Sequence, residues 1–112
     1  MLFRSITLFG NPSKYRITKI AVTNSSVANP STVSLGVFTA PSAGGTAIVT
    51  AGTNLSSGLA ATNAILNLTI VTAVGNTVLT NASYGQIYVN VNIAQGATAT
   101  CDIYVYGDII AN

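Results

Sequence analysis

Gln86-Ile87-Tyr88-Val89-Asn90-Val91-Asn92-Ile93 and Thr98-Ala99-Thr100-Cys101-Asp102-Ile103-Tyr104-Val105-Tyr106 alternate polar and apolar residues almost without a break. Successive side chains of a strand point to opposite faces, so each run has one oily face and one polar face. Ala94-Gln95-Gly96 lies between them. An odd-numbered loop lets odd residues pair with odd ones, and Gly96 stands where a three-residue hairpin loop wants a left-handed residue. The expected inner pairs are Ile93 with Ala97, Val91 with Ala99, Val89 with Cys101, and Ile87 with Ile103. On the outer face Tyr88 then lies opposite Asp102, Gln86 opposite Tyr104, and Tyr84 opposite Tyr106. Asp102 is also within reach of a bond to Tyr88 inside the fold. Cys101 falls on the oily side, which predicts a buried, inert thiol.

The same alternation runs outward through the chain. It predicts about eight short strands, at 2–9, 15–23, 32–39, 46–51, 64–72, 77–80, 86–93 and 98–106. Turn chemistry separates them, notably Gly10-Asn11-Pro12-Ser13, Pro41-Ser42-Ala43-Gly44-Gly45 and Gly75-Asn76. No window holds helical spacing. Val, Ile and Thr make up 37 residues of 112, and branching at Cβ favours strands. The expectation is one all-β domain over 1–112, an antiparallel β-sandwich of jelly-roll-like form. Residues 1–14 are expected as an extended N-terminal arm or an edge strand.

Charge is scarce, at 5% of residues. The cations are Arg4, Lys14, Arg16 and Lys19, the acids are Asp102 and Asp108, and nothing from Ile20 to Cys101 is charged. A soluble monomer normally spreads both signs over its surface. Uncharged strand edges also invite association. Much of this surface is therefore expected to lie against other subunits.

The census excludes several chemistries. With no His, a His-based triad cannot be built, and one Cys cannot supply the usual zinc set. No metal, cofactor or catalytic residue is expected. Four cations are too few for a basic nucleic-acid binder, which usually shows many more, interleaved with aromatics, so no nucleic-acid partner is expected. No apolar run approaches the roughly 20 residues of a membrane helix, and the first residues lack a signal-peptide core. Four Asn-x-Ser/Thr matches are what a chain with 11 Asn and 25 Ser plus Thr shows by accident.

Several stretches taken together resemble a known group. They are Tyr15-Arg16-Ile17-Thr18-Lys19-Ile20, Gly36-Val37-Phe38-Thr39-Ala40-Pro41, Gly44-Gly45-Thr46-Ala47-Ile48-Val49, Ala94-Gln95-Gly96-Ala97 and Ile103-Tyr104-Val105-Tyr106-Gly107. From about residue 15 to 107 the chain is similar to small all-β structural proteins of tailed phages, of the capsid decoration or cement type. The resemblance implies a non-enzymatic homo-oligomer, often a trimer. It would sit on the outer capsid surface of a virion and bind the major capsid protein. The contact residues expected are Arg4, Lys14, Arg16 and Lys19 of the basic segment and the Tyr84, Tyr88, Tyr104 and Tyr106 face. The alternative is a carbohydrate-binding, lectin-like module or fibre-tip domain that uses the same tyrosines.

Overall fold

The computed structural model describes residues 2–10, 12–26, 33–55, 58–59, 61–80, 86–93 and 100–111. Seven strands and one helical turn follow in order. They are β1 Leu2–Thr7, β2 Lys14–Thr23, β3 Ser34–Ala40, β4 Gly44–Asn54, β5 Leu66–Leu68, α1 Thr72–Gly75, β6 Gln86–Ile93 and β7 Asp102–Ala111. One sheet has four strands in the order β1-β6-β3-β4, and the other has three in the order β5-β2-β7. All pairings are antiparallel. The fold is an all-β sandwich, with β1 at an edge of the larger sheet.

Its core lies between the sheets. Leu35, Val37, Ile48, Val49, Ile87 and Val89 come from the larger sheet, and Tyr15, Ile17, Ile20, Val22 and Leu68 from the smaller. Leu55, Leu59, Val74 and Leu79 close the ends. Burying each aliphatic side chain of this size contributes roughly 1.5–3 kcal/mol.

The expected eight strands become seven and a remnant. An eight-stranded jelly roll divides its strands between two sheets. Here 77–80 is reduced to a single bridge, Leu79 with Tyr15. The cause is local: the Thr77 N–H donates to Val74 O at 3.2 Å and its hydroxyl donates to Ala73 O at 2.5 Å. Those bonds hold the segment to α1 until Leu79.

The hairpin expected over 86–106 does not form. Strand β6 lies between β1 and β3, with Val89 opposite both Arg4 and Val37. Strand β7 pairs with β2 in the other sheet, with Tyr106 opposite Lys19 and Tyr104 opposite Ala21. The two runs therefore face each other across the core instead of lying side by side. Oily faces meet in either arrangement, so side-chain parity is the same for both. The loop 94–96 and the predicted partners Ala97 and Ala99 lie outside the described residues.

The outer side of the larger sheet is less open than alternation implies. Asn90 is buried, and its cross-strand neighbour is Gly36. A Cβ at Gly36 would stand 2.8 Å from Ala51 Cα and 2.9 Å from Phe38 Cε1. Phe38 and a bulged β4 thus cover this part of the sheet. The Oδ1 of Asn90 and the Oγ of Ser34 are buried there with no hydrogen-bond partner among the described residues.

Candidate functional site

The outer face of β2 and β7 collects most of the expected contact residues, and a backbone irregularity makes this possible. Arg16 and Lys19 are three apart, so a regular strand would point them to opposite faces. An extra residue, Thr18, sits on β2 between Ile17↔Gly107 and Lys19↔Tyr106. This β-bulge resets the alternation. Ile17 and Ile20 both turn inward and are fully buried, while Arg16, Thr18 and Lys19 are all exposed. The Thr18 hydroxyl donates to the Tyr106 carbonyl at 3.2 Å and ties the bulge to β7.

Three polar contacts order this face. The Arg16 guanidinium binds Asp108, with Nε donating to Oδ2 at 2.9 Å and Nη2 donating to the same oxygen. The Lys19 ammonium lies 5.2 Å from the centre of the Tyr106 ring, within cation–π range. Asn24 Nδ2 donates to Asp102 Oδ2 at 2.9 Å. Asp102 therefore bonds to Asn24 and not to Tyr88, which belongs to the other sheet. The Arg16–Asp108 pair closes the basic segment onto an acid of the same chain, and both side chains are exposed. Pairs of that kind are worth about 0–1 kcal/mol.

The expected site residues divide as follows. Lys14, Arg16, Lys19, Tyr104 and Tyr106 share β2 and β7. Tyr88 sits in β6, partly buried, with its hydroxyl donating to Gln86 Oε1 at 3.0 Å. Arg4 belongs to β1 on that same larger sheet, opposite Val89. Tyr84 lies outside the described residues. The four-tyrosine cluster is therefore reduced to the pair Tyr104 and Tyr106, 48% and 49% exposed.

Sequence reading missed the continuation of this surface. Strand β7 runs on past the expected end at 106 to Ala111, through Ile109 and Ile110, which are 49% and 51% exposed. Phe9, in the turn after β1, is 93% exposed. That turn leans on the strand, since a Cβ at Gly10 would stand 2.9 Å from Ile109 Cδ1. Among the described residues, five of the seven large exposed hydrophobics lie on β7 or on this turn. Among the described residues strand β7 is an edge of its sheet, with β2 on one side only. The Ile109-Ile110 pair after Gly107 was the available signal, because β-branched residues suit a strand.

Two other features bear on chemistry. A cleft of about 330 Å³ lies between α1 and β4, lined by Thr46, Ala73, Val74, Thr77, Val78, Leu79 and Thr80, none of which titrates near neutral pH. Among the described residues no three His, Cys, Asp or Glu side chains gather as metal ligands. Cys101 is exposed, which overturns the buried thiol. It precedes β7 instead of lying in a ladder with Val89. Desolvation by nearby protein atoms, and then the adjacent Asp102 carboxylate, push its pKa above the ordinary thiol value.

Comparison with known family models, curated proteins and solved structures finds no match to this chain.

Proposed function

We propose that this chain is a non-enzymatic structural subunit that works by assembly, and that its place is the outer surface of a virion shell. There it acts as a decoration or cement protein, a homo-oligomer bound to the major capsid protein. The observation that carries the assembly reading is β7. It is ten residues long, lies at a sheet edge, and holds Tyr104, Tyr106, Ile109 and Ile110 half open to water. It has neither Lys nor Pro, which often blunt such edges, and its two charges, Asp102 and Asp108, are both held by partners within the chain. Exposed apolar patches rimmed by polar residues mark interaction surfaces. The uncharged stretch from Ile20 to Cys101 supports the same reading, because little on it would repel a neighbouring subunit. The virion setting and the shell partner rest on the sequence resemblance.

Many weak, equivalent contacts suffice for such a role. Linking several modest sites in one oligomer raises the overall affinity by roughly 10²–10⁴ when the geometry lets all of them engage. The test is cosedimentation of purified protein with shells that lack it. Binding that saturates at a fixed number of copies per shell, and raises the shell's melting temperature, is the expected result. Protein that stays in the supernatant at high micromolar concentration would defeat the proposal.

The exposed pair Tyr104 and Tyr106 also favours a second reading, a glycan-binding module that stacks sugars on these rings. Lys19 weighs against it, since its ammonium already stands over the Tyr106 ring. A glycan array with hits that vanish on Tyr104→Ala would support this second reading.

A further inference from the structure

We infer that the free edge of β7 pairs antiparallel with the β7 of a second copy, about a two-fold axis at Gly107. This names the self-partner of the proposed assembly module and rests on that reading. Pairing of this kind joins the two three-stranded sheets into one of six strands, with backbone hydrogen bonds supplying affinity and side chains setting the register.

The register follows from face and charge. Inward residues must meet inward ones, so the axis has to pass through a residue and not between two. An axis at Asp108 would set the two Asp108 carboxylates directly opposite each other. One at Val105 would set Asp102 against Asp108 twice. Like charges directly opposite are destabilising. An axis at Tyr106 sets the Asp102 carboxylate against Ile110. An axis at Gly107 avoids all three. Val105 then faces Ile109 of the other copy, Tyr104 faces Ile110, Ile103 faces Ala111, and Tyr106 faces Asp108. Asp102 falls at the end of the ladder.

Charge complementarity favours a second copy as the occupant. Lys19 stands opposite Tyr106 in the ladder, and its ammonium lies over that ring. In the Gly107 register the residue opposite Tyr106 is the other copy's Asp108, so that carboxylate, already held by its own Arg16, meets the Lys19 ammonium as a second cation. The two-fold axis creates the contact twice. Ile109 and Ile110, half exposed in one chain, lose water to Val105 and Tyr104 of the other. The interface is isologous, so it closes at two copies and leaves no open edge on β7.

Mass and crosslinking test this. At high micromolar concentration light scattering should give twice the 11.4 kDa chain mass, falling towards one copy on dilution. In a Cys101→Ser background, Tyr106→Cys and Asp108→Cys proteins are made separately and then mixed. Directly opposed Cβ atoms lie about 4.5–5.5 Å apart, close enough for a disulfide after small adjustment. The mixture should yield crosslinked dimer on mild oxidation at least about tenfold faster than either protein alone. Crosslinking of Tyr106→Cys with itself would overturn the register. A strict monomer, or a trimer with no dimer, would overturn the pairing. A monomer that still cosediments with shells would do so too, and would remove the homo-oligomer from the proposed function while leaving its shell binding standing. The crosslink readout does not depend on shells, so the two failures are distinct.

Discussion

Gly107, opposite Ile17 in the β2–β7 ladder, lies so close to the backbone of Arg16 that a Cβ on Gly107 would stand 1.9 Å from the Arg16 carbonyl oxygen. No real Cβ tolerates such a contact with backbone, so only glycine fits opposite the Thr18 bulge. The bulge in turn is what places Arg16 and Lys19 on one face. Gly107→Ala should therefore force the two strands apart, at a cost of roughly 1–3 kcal/mol, the usual range for overpacking. Urea denaturation measures it. Arg16→Ala, which removes only the exposed ion pair, should cost less than about 1 kcal/mol. Equal losses in the two variants would mean that the close approach is not what holds the bulge.

The β3–β4 turn carries backbone strain that a substitution can release. Gly44 N–H donates to Pro41 O at 3.2 Å, and the two residues between them, Ser42 and Ala43, have φ of 60° and 58°. Both are left-handed, as a type I′ turn requires, and neither is glycine. A left-handed residue with a Cβ costs roughly 1–2 kcal/mol. Ala43→Gly should raise stability by about 1 kcal/mol, less whatever the freer unfolded chain takes back. Thermal unfolding should show a Tm higher by a few degrees; an unchanged or lower Tm would count against the turn geometry.

How much of this was open to reading depends on what kind of signal each feature leaves. Alternation marks a strand and its oily face, and β6 spans Gln86–Ile93, as the sequence predicts. Alternation does not say whether the next oily face lies alongside in the same sheet or opposite in the other. That choice depends on the path between β6 and β7, which side-chain parity leaves open. The contact face was half legible for the same reason. Tyr104 and Tyr106 belong to one strand and stay together, whereas Tyr88 went with β6 to the other sheet. The bulge did leave a trace, since two polar residues, Thr18 and Lys19, separate the apolar Ile17 and Ile20. The Arg16–Asp108 pair left none, because nothing local connects residues 92 positions apart.

Tyr15 gives the fold a pH dependence. Its ring is buried, its hydroxyl has no hydrogen-bond partner among the described residues, and its pKa is pushed up to about 12, first by loss of water and then by Tyr88. In the unfolded chain the value is 10.0. A raised folded value means that the folded state holds the proton more tightly. The stability this contributes is complete below pH 10 and is lost as pH rises towards 12. Two pH units correspond to roughly 2–3 kcal/mol. Tyr15→Phe should abolish this alkaline loss. It should also match or exceed the native protein near neutral pH, because an unpaired buried hydroxyl costs about 1–3 kcal/mol. Denaturation series at several pH values, compared between the two proteins, decide the matter; parallel curves in the alkaline range would show that Tyr15 is not responsible.

Cys101 offers a direct check on the separation of β6 from β7. A thiol in a ladder with Val89 on the oily side would be shielded from reagent until the protein unfolds. In the structure it precedes β7 and is exposed. A maleimide should therefore label the folded protein to completion without denaturant. The rate should be slow, because the raised pKa leaves less thiolate at neutral pH, and the thiolate is the reacting species. Plotted against pH, the folded-state rate should reach its midpoint at higher pH than the same thiol in denaturant. Labelling that waits for unfolding would restore the hairpin, and a midpoint below the unfolded one would point to a cation near the sulfur in place of Asp102.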